Sequence, residues 1–265
     1  DTGLTLDDAD AVHAANALDI CDASYGLVSA AYTRADGTPF IASQQHGIQT
    51  AFGTNVVPQL GSSMLTLSSG AARTTGQPDA CTSQNCDGSG AGTPPTGFPQ
   101  DVPGCAGGAN INDDIALELS LKAPANAKGY SFDFKFYSFE YPEWVCTTFN
   151  DQFVALVEPA PEGAINGNIA FDSQTNPVSV NIAFFDVCEG CPLGTADLQG
   201  TGFDTLNDAG ATDWLRTQAP ITGGEEFTIK FLLWDTGDSA YDSTVLIDNF
   251  RWLADPVAVS TGTID

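Results

Sequence analysis

The chain has 265 residues, of which 42% are hydrophobic and 10% aromatic, so it can bury a substantial core without a partner. Eight Lys and Arg residues stand against 34 Asp and Glu residues, a formal net charge of −26. This charge repels nucleic acids and anionic lipid surfaces, so both are poor partner candidates and we expect no nucleic-acid partner. It suits surroundings rich in divalent cations such as Ca²⁺, although an acidic surface also favours solubility alone.

The chain lacks the features of a membrane-embedded protein. No run approaches the roughly 18 apolar residues that a spanning helix requires, so we expect no membrane insertion. The sequence begins at Asp1 without a basic and apolar leader, as expected of a secreted protein whose signal peptide has been removed.

One short helix is predicted near the N-terminus, over residues 5–20. The run Thr5-Leu6-Asp7-Asp8 has the form of a capping box, and Val12, Ala15 and Leu18 follow at helical spacing. After Cys21 the pattern changes to short apolar runs separated by Gly, Pro and Asn, which is typical of strands and turns.

Residues 73–110 are rich in Gly, Pro, Ser, Thr and Cys and predict a long loop insertion, either functional or carried on the surface. Strand signals then become strong, and alternation is clearest in the runs 115–121 and 130–136. Further apolar runs follow at 153–157, 178–182, 227–234 and 244–252. The sequence therefore predicts a single all-β domain over residues 1–265, a jelly-roll-like β-sandwich.

The seven cysteines agree with an exported protein. Cys81 with Cys86, and Cys188 with Cys191, enclose short loops and predict local disulfides. The alternatives are a redox motif at Cys188-x-x-Cys191, or a zinc site made by these four cysteines. Cys21, Cys105 and Cys146 remain, so one cysteine must stay unpaired or pair between chains.

The turn between the last two long strands carries three carboxylates, Asp235, Asp238 and Asp242. They repel one another unless a cation is shared, and Ca²⁺ accepts carboxylate, hydroxyl and backbone oxygens in flexible geometry. Asp248 lies in a largely apolar strand, where it requires a cation or strong donors. The alternative is a solvated turn in which these residues serve backbone geometry.

A second acidic group comprises Glu140, Glu143, Asn150 and Asp151. Its side chains predict either a second Ca²⁺ site or caps on backbone donors. The pair Glu140 and Glu143 also raises glycoside hydrolysis as a less favoured alternative.

Signals for other catalysis are weak. The two histidines, His13 and His46, lie in a predicted Ala-rich helix and a Gln-rich loop, and the sequence has no G-x-S-x-G motif. We therefore expect no enzymatic activity. Trp144, Trp214 and Tyr241 could stack on sugars, although such residues also fill β-sandwich cores.

Four stretches of the chain carry a family resemblance. The most specific is Phe132–Phe153, with its E-Y-P-E and F-N-D motifs, and the others are Trp234–Trp252, Gly61–Gly70 and Gly210–Leu215. Together they resemble the choice-of-anchor L family of exported bacterial proteins. The resemblance implies attachment to the cell surface through differing C-terminal anchors and implies no catalytic residues. No anchor is evident in Val257–Asp265, so we expect that it has been processed away or that other subunits hold the protein.

Together these features predict a secreted, calcium-binding structural or adhesive protein of the bacterial cell surface or extracellular matrix. We expect its partners to be copies of itself, in a fibre or surface layer, or other surface proteins, because an open sheet edge permits strand addition. A carbohydrate-binding module is the alternative, and a secreted glycoside hydrolase is less favoured.

Overall fold

A computed structural model describes residues 4–21, 23–40, 44–86, 88–182, 184–205 and 208–264. It contains one α-helix, α1 (Ala11–Ala17), and two 3₁₀ turns, Ala23–Tyr25 and Ala196–Leu198. The strands are β1 (Leu27–Thr33), β2 (His46–Gln49), β3 (Met64–Ser68), β4 (Ile111–Lys122), β5 (Gly129–Ser138), β6 (Gln152–Glu158), β7 (Val178–Ser179), β8 (Phe185–Val187), β9 (Gly210–Thr212), β10 (Leu215–Pro220), β11 (Glu226–Thr236), β12 (Ser243–Leu253) and β13 (Ser260–Thr263).

The strands form two antiparallel sheets, and this confirms the predicted all-β sandwich. The first sheet has the order β1-β4-β11-β6-β7, and the second has the order β13-β10-β5-β12-β3-β2, with β9 joining β5 to β8. The chain crosses between the sheets from β4 to β5 and from β11 to β12. Because β4 pairs with β11 and β5 with β12, the two crossings lie side by side, as in jelly-roll folds.

Two hydrophobic cores explain why β5 is buried along its whole length. Phe132, Phe134 and Phe136 alternate into the main core between the sheets. The opposite face of β5 carries Tyr137, which packs with Phe203 in a smaller core outside the second sheet. The opposite face also carries Ser131, Asp133 and Lys135, so β5 alternates in sequence although it is buried on both faces.

Helix α1 is shorter than the predicted range 5–20 and starts later. Its N-cap is Asp10, whose side chain accepts a hydrogen bond from the backbone N–H of Val12. The capping box at Thr5 does not form, and Asp8 instead contacts the His13 ring at 2.7 Å. Val12 is 42% exposed, whereas Ala14, Ala15 and Leu18 pack into the main core.

The segment 69–110 has no helix or strand among its described residues, which exclude residue 87. This agrees with the predicted loop at 73–110, and its status as an insertion stays a prediction. Arg34 fixes its middle by donating hydrogen bonds to the carbonyl groups of Ser89, Gly90 and Ala91 at 3.0–3.1 Å. Among the described residues no helix is long and apolar enough to cross a membrane.

Candidate functional site

Four carboxylates meet at one end of the sandwich, and we call Glu140, Asp151, Asp235 and Asp242 the acidic cluster. They lie just after β5, just before β6, near the end of β11 and just before β12. Antiparallel register places these positions at the same end, because Ser138 pairs with Ser243 and Gln152 pairs with Trp234. The cluster therefore follows from the pairing of four strands, two from each sheet.

All four side chains are buried: no residue of the cluster is more than 4% exposed. Three of them accept hydrogen bonds. Glu140 accepts from the backbone N–H of Asp151 at 3.2 Å. Asp151 accepts from the backbone N–H of Thr236 at 2.9 Å and from the Ser243 hydroxyl at 2.7 Å. Asp242 accepts from the backbone N–H of Cys86 at 2.8 Å through Oδ2.

Asp235 is the exception, since among the described residues neither of its oxygens has a hydrogen-bond partner of good geometry. Oδ1 of Asp242 also lacks a partner there. Burying a carboxylate without a donor or a cation costs several kcal/mol. The arrangement is therefore incomplete without a positive group.

The protein's basic side chains do not supply that group. Six of the eight lie in ion pairs with other carboxylates: Arg34, Arg73, Lys122, Lys135, Arg216 and Lys230. Within the described ranges, no ion pair involves a member of the acidic cluster. The acidic cluster therefore concentrates negative charge that hydrogen bonds offset, although Arg73 lines the same small cavity as Asp242.

The pKa values reflect this environment. Burial, and then the charge of Asp151, raises the pKa of Glu140 to about 10. Burial raises the pKa of Asp151 to about 7 and that of Asp242 to about 8, against hydrogen bonds that lower both. For Asp235, burial and the charges of Asp151 and Asp242 raise the pKa well above its ordinary value, against a contact with the Ser69 hydroxyl that lowers it. The cluster at neutral pH must take up either protons or a cation.

The distances between the candidate ligand atoms limit how a cation can bind in the acidic cluster. Among the described residues, the only trio of acidic, Cys or His ligand atoms lying within 4.8 Å of one another is Cys81, Cys86 and Asp242. Its sulfur atoms are joined in a disulfide and are not thiolates. A cation in the cluster would therefore draw on one or two carboxylates together with hydroxyl and backbone oxygens, a mixture that Ca²⁺ accepts.

The other residues predicted as calcium ligands are not members of the acidic cluster, although the charge of Asp238 raises the pKa of Glu140 and of Asp151. Asp238 and Glu143 are exposed, so Glu143 and the buried Glu140 have different surroundings. Asn150 accepts a hydrogen bond from Asn181 at 2.8 Å. Asp248 accepts from the backbone N–H groups of Gln59, Leu60 and Asn249, and burial raises its pKa to about 7 against these hydrogen bonds.

Sequence reasoning missed Asp113 and Gly70. Asp113 is buried in β4, and its charge raises the pKa of Asp242. Gly70 packs so closely on Asp242 that a Cβ atom there would lie 1.8 Å from Oδ2. The run Asn112-Asp113-Asp114 next to an apolar strand was an available signal for Asp113, whereas nothing in the sequence marks the Gly70 contact.

The cysteines form the two predicted disulfides, Cys81–Cys86 and Cys188–Cys191, and a third that joins Cys105 to Cys146. Cys21 is exposed and unpaired. The four-cysteine zinc alternative is wrong, because the four sulfur atoms are joined in two disulfides, Cys81–Cys86 and Cys188–Cys191. Cys105–Cys146 ties the segment 69–110 to the loop between β5 and β6, which carries Glu140.

The three aromatic residues that could stack on sugars differ in burial and in position. Trp214 is 9% exposed and belongs to the smaller core. Trp144 and Tyr241 are half-buried beside the acidic cluster, with ring centroids 6.0 Å apart. His46 is buried and stacks on Tyr32 at 4.3 Å.

Comparison with solved structures gives distant likenesses, among them the following two. One is the carbohydrate-binding module TmCBM61 in complex with β-1,4-galactotriose, at 9% identity and a TM-score of 0.32, covering 87% of this chain and 91% of that one. The other is the enzymatically active domain of tailspike protein 4 from bacteriophage CBA120, at 9% identity and a TM-score of 0.28, covering 85% of this chain and 19% of that one. Neither likeness carries a functional argument.

No curated protein matches the chain. A family model does, and its description is the choice-of-anchor L domain. The match extends over residues 41–250 and includes the whole acidic cluster and all three disulfides. The chain therefore belongs to the choice-of-anchor L family of exported surface proteins.

Proposed function

We propose that this protein is a non-enzymatic structural or adhesive domain of the bacterial surface, rigidified by Ca²⁺ bound at the acidic cluster. The observation that carries the proposal is Asp235, which is 1% exposed and has no donor of good geometry for either oxygen. A divalent cation would supply the missing charge at the point where both sheets end. Ca²⁺ is the cation whose ligand preferences fit the available oxygens.

Cation binding at this position would hold together parts of the chain that are far apart in sequence. The cluster joins β5 and β12 of the second sheet to β6 and β11 of the first. A ligand that binds only the folded state stabilises it by mass action, by about 2.7 kcal/mol at one hundred times the Kd. Such stabilisation suits a domain whose role is mechanical.

Calorimetric titration with Ca²⁺ and thermal melts with and without EGTA test the proposal. We expect wild-type protein to bind Ca²⁺ and to melt at a lower temperature in EGTA. The variant Asp235→Asn removes one charge without changing shape, so it should weaken Ca²⁺ binding more than about tenfold. The matched control is Asp255→Asn, at an exposed position, and it should behave as wild type. A wild-type protein without binding heat and with the same melting temperature in EGTA would refute the calcium proposal.

A second candidate function, glycan binding, is favoured by the half-buried pair Trp144 and Tyr241. Aromatic faces stack on the apolar faces of sugar rings, and the net charge of −26 favours a neutral glycan. A glycan array with wild-type protein and Trp144→Ala tests it, with Leu193→Ala, exposed elsewhere, as the control. Binding by wild type and the control but not by Trp144→Ala would support this function, and no binding by folded wild-type protein would refute it.

Self-assembly into fibres or surface layers stays a prediction. Electron microscopy of the purified protein with Ca²⁺ and with EGTA tests it. Ordered filaments or sheets in Ca²⁺ would support assembly, and monomers in both conditions would contradict it.

A further inference from the structure

Lys135 is a buried nucleophile that the proposed calcium site does not use. Its side chain is fully buried, and it extends from the same face of β5 as Tyr137 two positions later. Lys135 is paired with Leu246 of β12, and both Tyr137 and Leu246 belong to the smaller core. A lysine is almost never fully buried without a partner of opposite charge. Lys135 therefore lies within an apolar layer and depends on carboxylates that reach into it.

Two aspartates supply those carboxylates. Oδ2 of Asp197 lies 2.9 Å from Nζ of Lys135, and Oδ1 of Asp213 lies 3.7 Å from it. Among the described residues, Nζ nevertheless has no hydrogen-bond partner of good geometry. The amine is therefore packed against the Asp197 carboxylate without the alignment of a hydrogen bond. Both aspartate side chains are about one third exposed, so they connect the buried amine to the protein surface.

Backbone contacts hold the two aspartates in place. Asp197 lies in the 3₁₀ turn Ala196–Leu198, and its carbonyl group accepts a hydrogen bond from the Tyr137 hydroxyl at 3.3 Å. Oδ1 of Asp213 accepts from the backbone N–H of Trp214 at 2.7 Å. The amine and the two carboxylates thus meet as a preorganised group, and such preorganisation of reacting groups lowers the barrier to a reaction between them.

We propose that Lys135 and Asp197 become joined by an amide bond between their side chains, an isopeptide, with Asp213 as the group that moves the protons. One ammonium group and one carboxylate are converted into one amide and one water molecule, so the reaction requires no oxidant, reductant or cofactor. The reacting residues are not members of the acidic cluster, and the proposal is independent of Ca²⁺.

The proton transfers follow from the positions of the three groups. Asp213 accepts one proton from the Lys135 ammonium group and passes it to Asp197, which leaves a neutral amine beside a neutral carboxylic acid. The electron pair of the amine forms the new C–N bond at Cγ of Asp197. Asp213 then carries a second proton from the nitrogen to one oxygen, and the C–O bond breaks as that oxygen leaves as water. A desolvated lysine beside a base is an activated nucleophile.

The isopeptide would tie β5 to the turn Ala196–Leu198 on the outer side of the second sheet. It would close residues 135–197, which include β6, into a covalent loop. A cross-link of this kind restricts the unfolded chain as a disulfide does, but reducing agents do not break it.

Trypsin digestion of the denatured and reduced protein, followed by mass spectrometry, tests the proposal. Trypsin cuts after free Lys and Arg side chains, which this region offers at Lys128, Lys135 and Arg216. Without the isopeptide, residues 129–135 and 136–216 are released as separate peptides. With it, trypsin does not cut after Lys135, and residues 129–216 are released as one peptide that is lighter by one water molecule. Fragmentation of this peptide should place the bond at Asp197.

Three variants serve as comparisons. Lys135→Met cannot form the isopeptide and should have the full mass. Lys122→Met removes an exposed lysine and should lose water as the wild type does. Asp213→Asn can still accept from Trp214 but cannot carry protons, so the modified fraction after the same incubation should fall by about tenfold or more.

Wild-type protein of full mass that trypsin cuts after Lys135 would overturn the proposal. Loss of water that persists in Lys135→Met would also overturn it, because an aspartate can lose water to its own backbone as a succinimide. A bond at Asp213, or an unchanged modified fraction in Asp213→Asn, would contradict the assigned roles. None of these results bears on the titration with Ca²⁺, so failure of the isopeptide and failure of the calcium site are distinguishable.

Discussion

Arg216 donates two hydrogen bonds to Asp133, from Nε at 2.6 Å and from Nη2 at 2.8 Å. The aspartate side chain is fully buried, whereas the arginine side chain is 41% exposed. Asn249 completes the environment by donating to the same carboxylate at 2.6 Å. Asp133 thus obtains in the centre of the second sheet the cation that the acidic cluster lacks.

Replacing Arg216 is expected to destabilise the folded state, because it leaves Asp133 buried without its charge partner. Arg216→Met should lower the free energy of unfolding by about 3 kcal/mol or more, as measured by urea denaturation. Lys122→Met removes an exposed pair with Glu226 and should cost less than about 1 kcal/mol. Equal costs for the two variants would contradict this view of Asp133.

In the ion pairs of Lys135 the buried member is the base, whereas in the pair of Arg216 with Asp133 the buried member is the acid. Its side chain is fully buried, while those of its partners Asp197 and Asp213 are 32% and 37% exposed. Lys135→Met fills the same space, and water can solvate the two carboxylates left behind. Relative to wild-type chains in which the isopeptide has not formed, we expect a change in unfolding free energy within about 1 kcal/mol, of either sign. A loss of several kcal/mol would show that the pairs themselves stabilise the fold.

The raised pKa values in the acidic cluster predict an unusual pH dependence without Ca²⁺. Asp151 and Asp242 have folded-state pKa values of about 7 and about 8, above their ordinary value. The folded state therefore favours the protonated form, so this contribution to stability is full below about pH 4 and is lost as pH rises through 7 and 8. In EGTA the melting temperature should fall between about pH 6 and pH 8.5, and less so in Asp151→Asn.

Ca²⁺ should reduce this dependence, since it replaces the protons. Its own affinity should weaken on acidification, as titrations at the two pH values would measure. Identical pH profiles for wild type and Asp151→Asn would show that Asp151 does not titrate in this range.

We expect the disulfides to contribute unequally to the free energy of unfolding. Cys105 and Cys146 are separated by 41 positions, whereas Cys188 and Cys191 are separated by three. The chain-entropy model gives about 4 kcal/mol for the long loop and about 2 kcal/mol for the short one. Paired Cys→Ser variants, compared by denaturant melts, should follow this order, and the reverse order would exclude an entropic origin.

The fold could be predicted from sequence because its signals are local. Alternation in 130–136 and the turn residues between runs reflect burial on a pleated sheet. The start of α1 could not be predicted, since Thr5, Asp8 and Asp10 are all acceptable caps and tertiary contacts such as Asp8 with His13 decide among them.

The site was predicted in part for the same reason. The acidic turns marked Asp235, Asp242, Glu140 and Asp151, but sequence could not distinguish them from Asp238 and Glu143, which point to solvent. Asp248 was grouped with them because its backbone donors at Gln59 and Leu60 are remote in sequence. The pairing of distant strands decides which carboxylates meet, and no local pattern encodes it.

The small number of basic side chains, most of them in ion pairs, affects how well the protein resists proteases outside the cell. Proteases of trypsin specificity cut after Lys and Arg, and the chain offers eight such positions, six of them in ion pairs. Residues 74–121 and 136–215 contain neither Lys nor Arg. The Cys81–Cys86 loop, the loop that carries Glu140 and the rest of these two segments thus hold no bond that such an enzyme can cut.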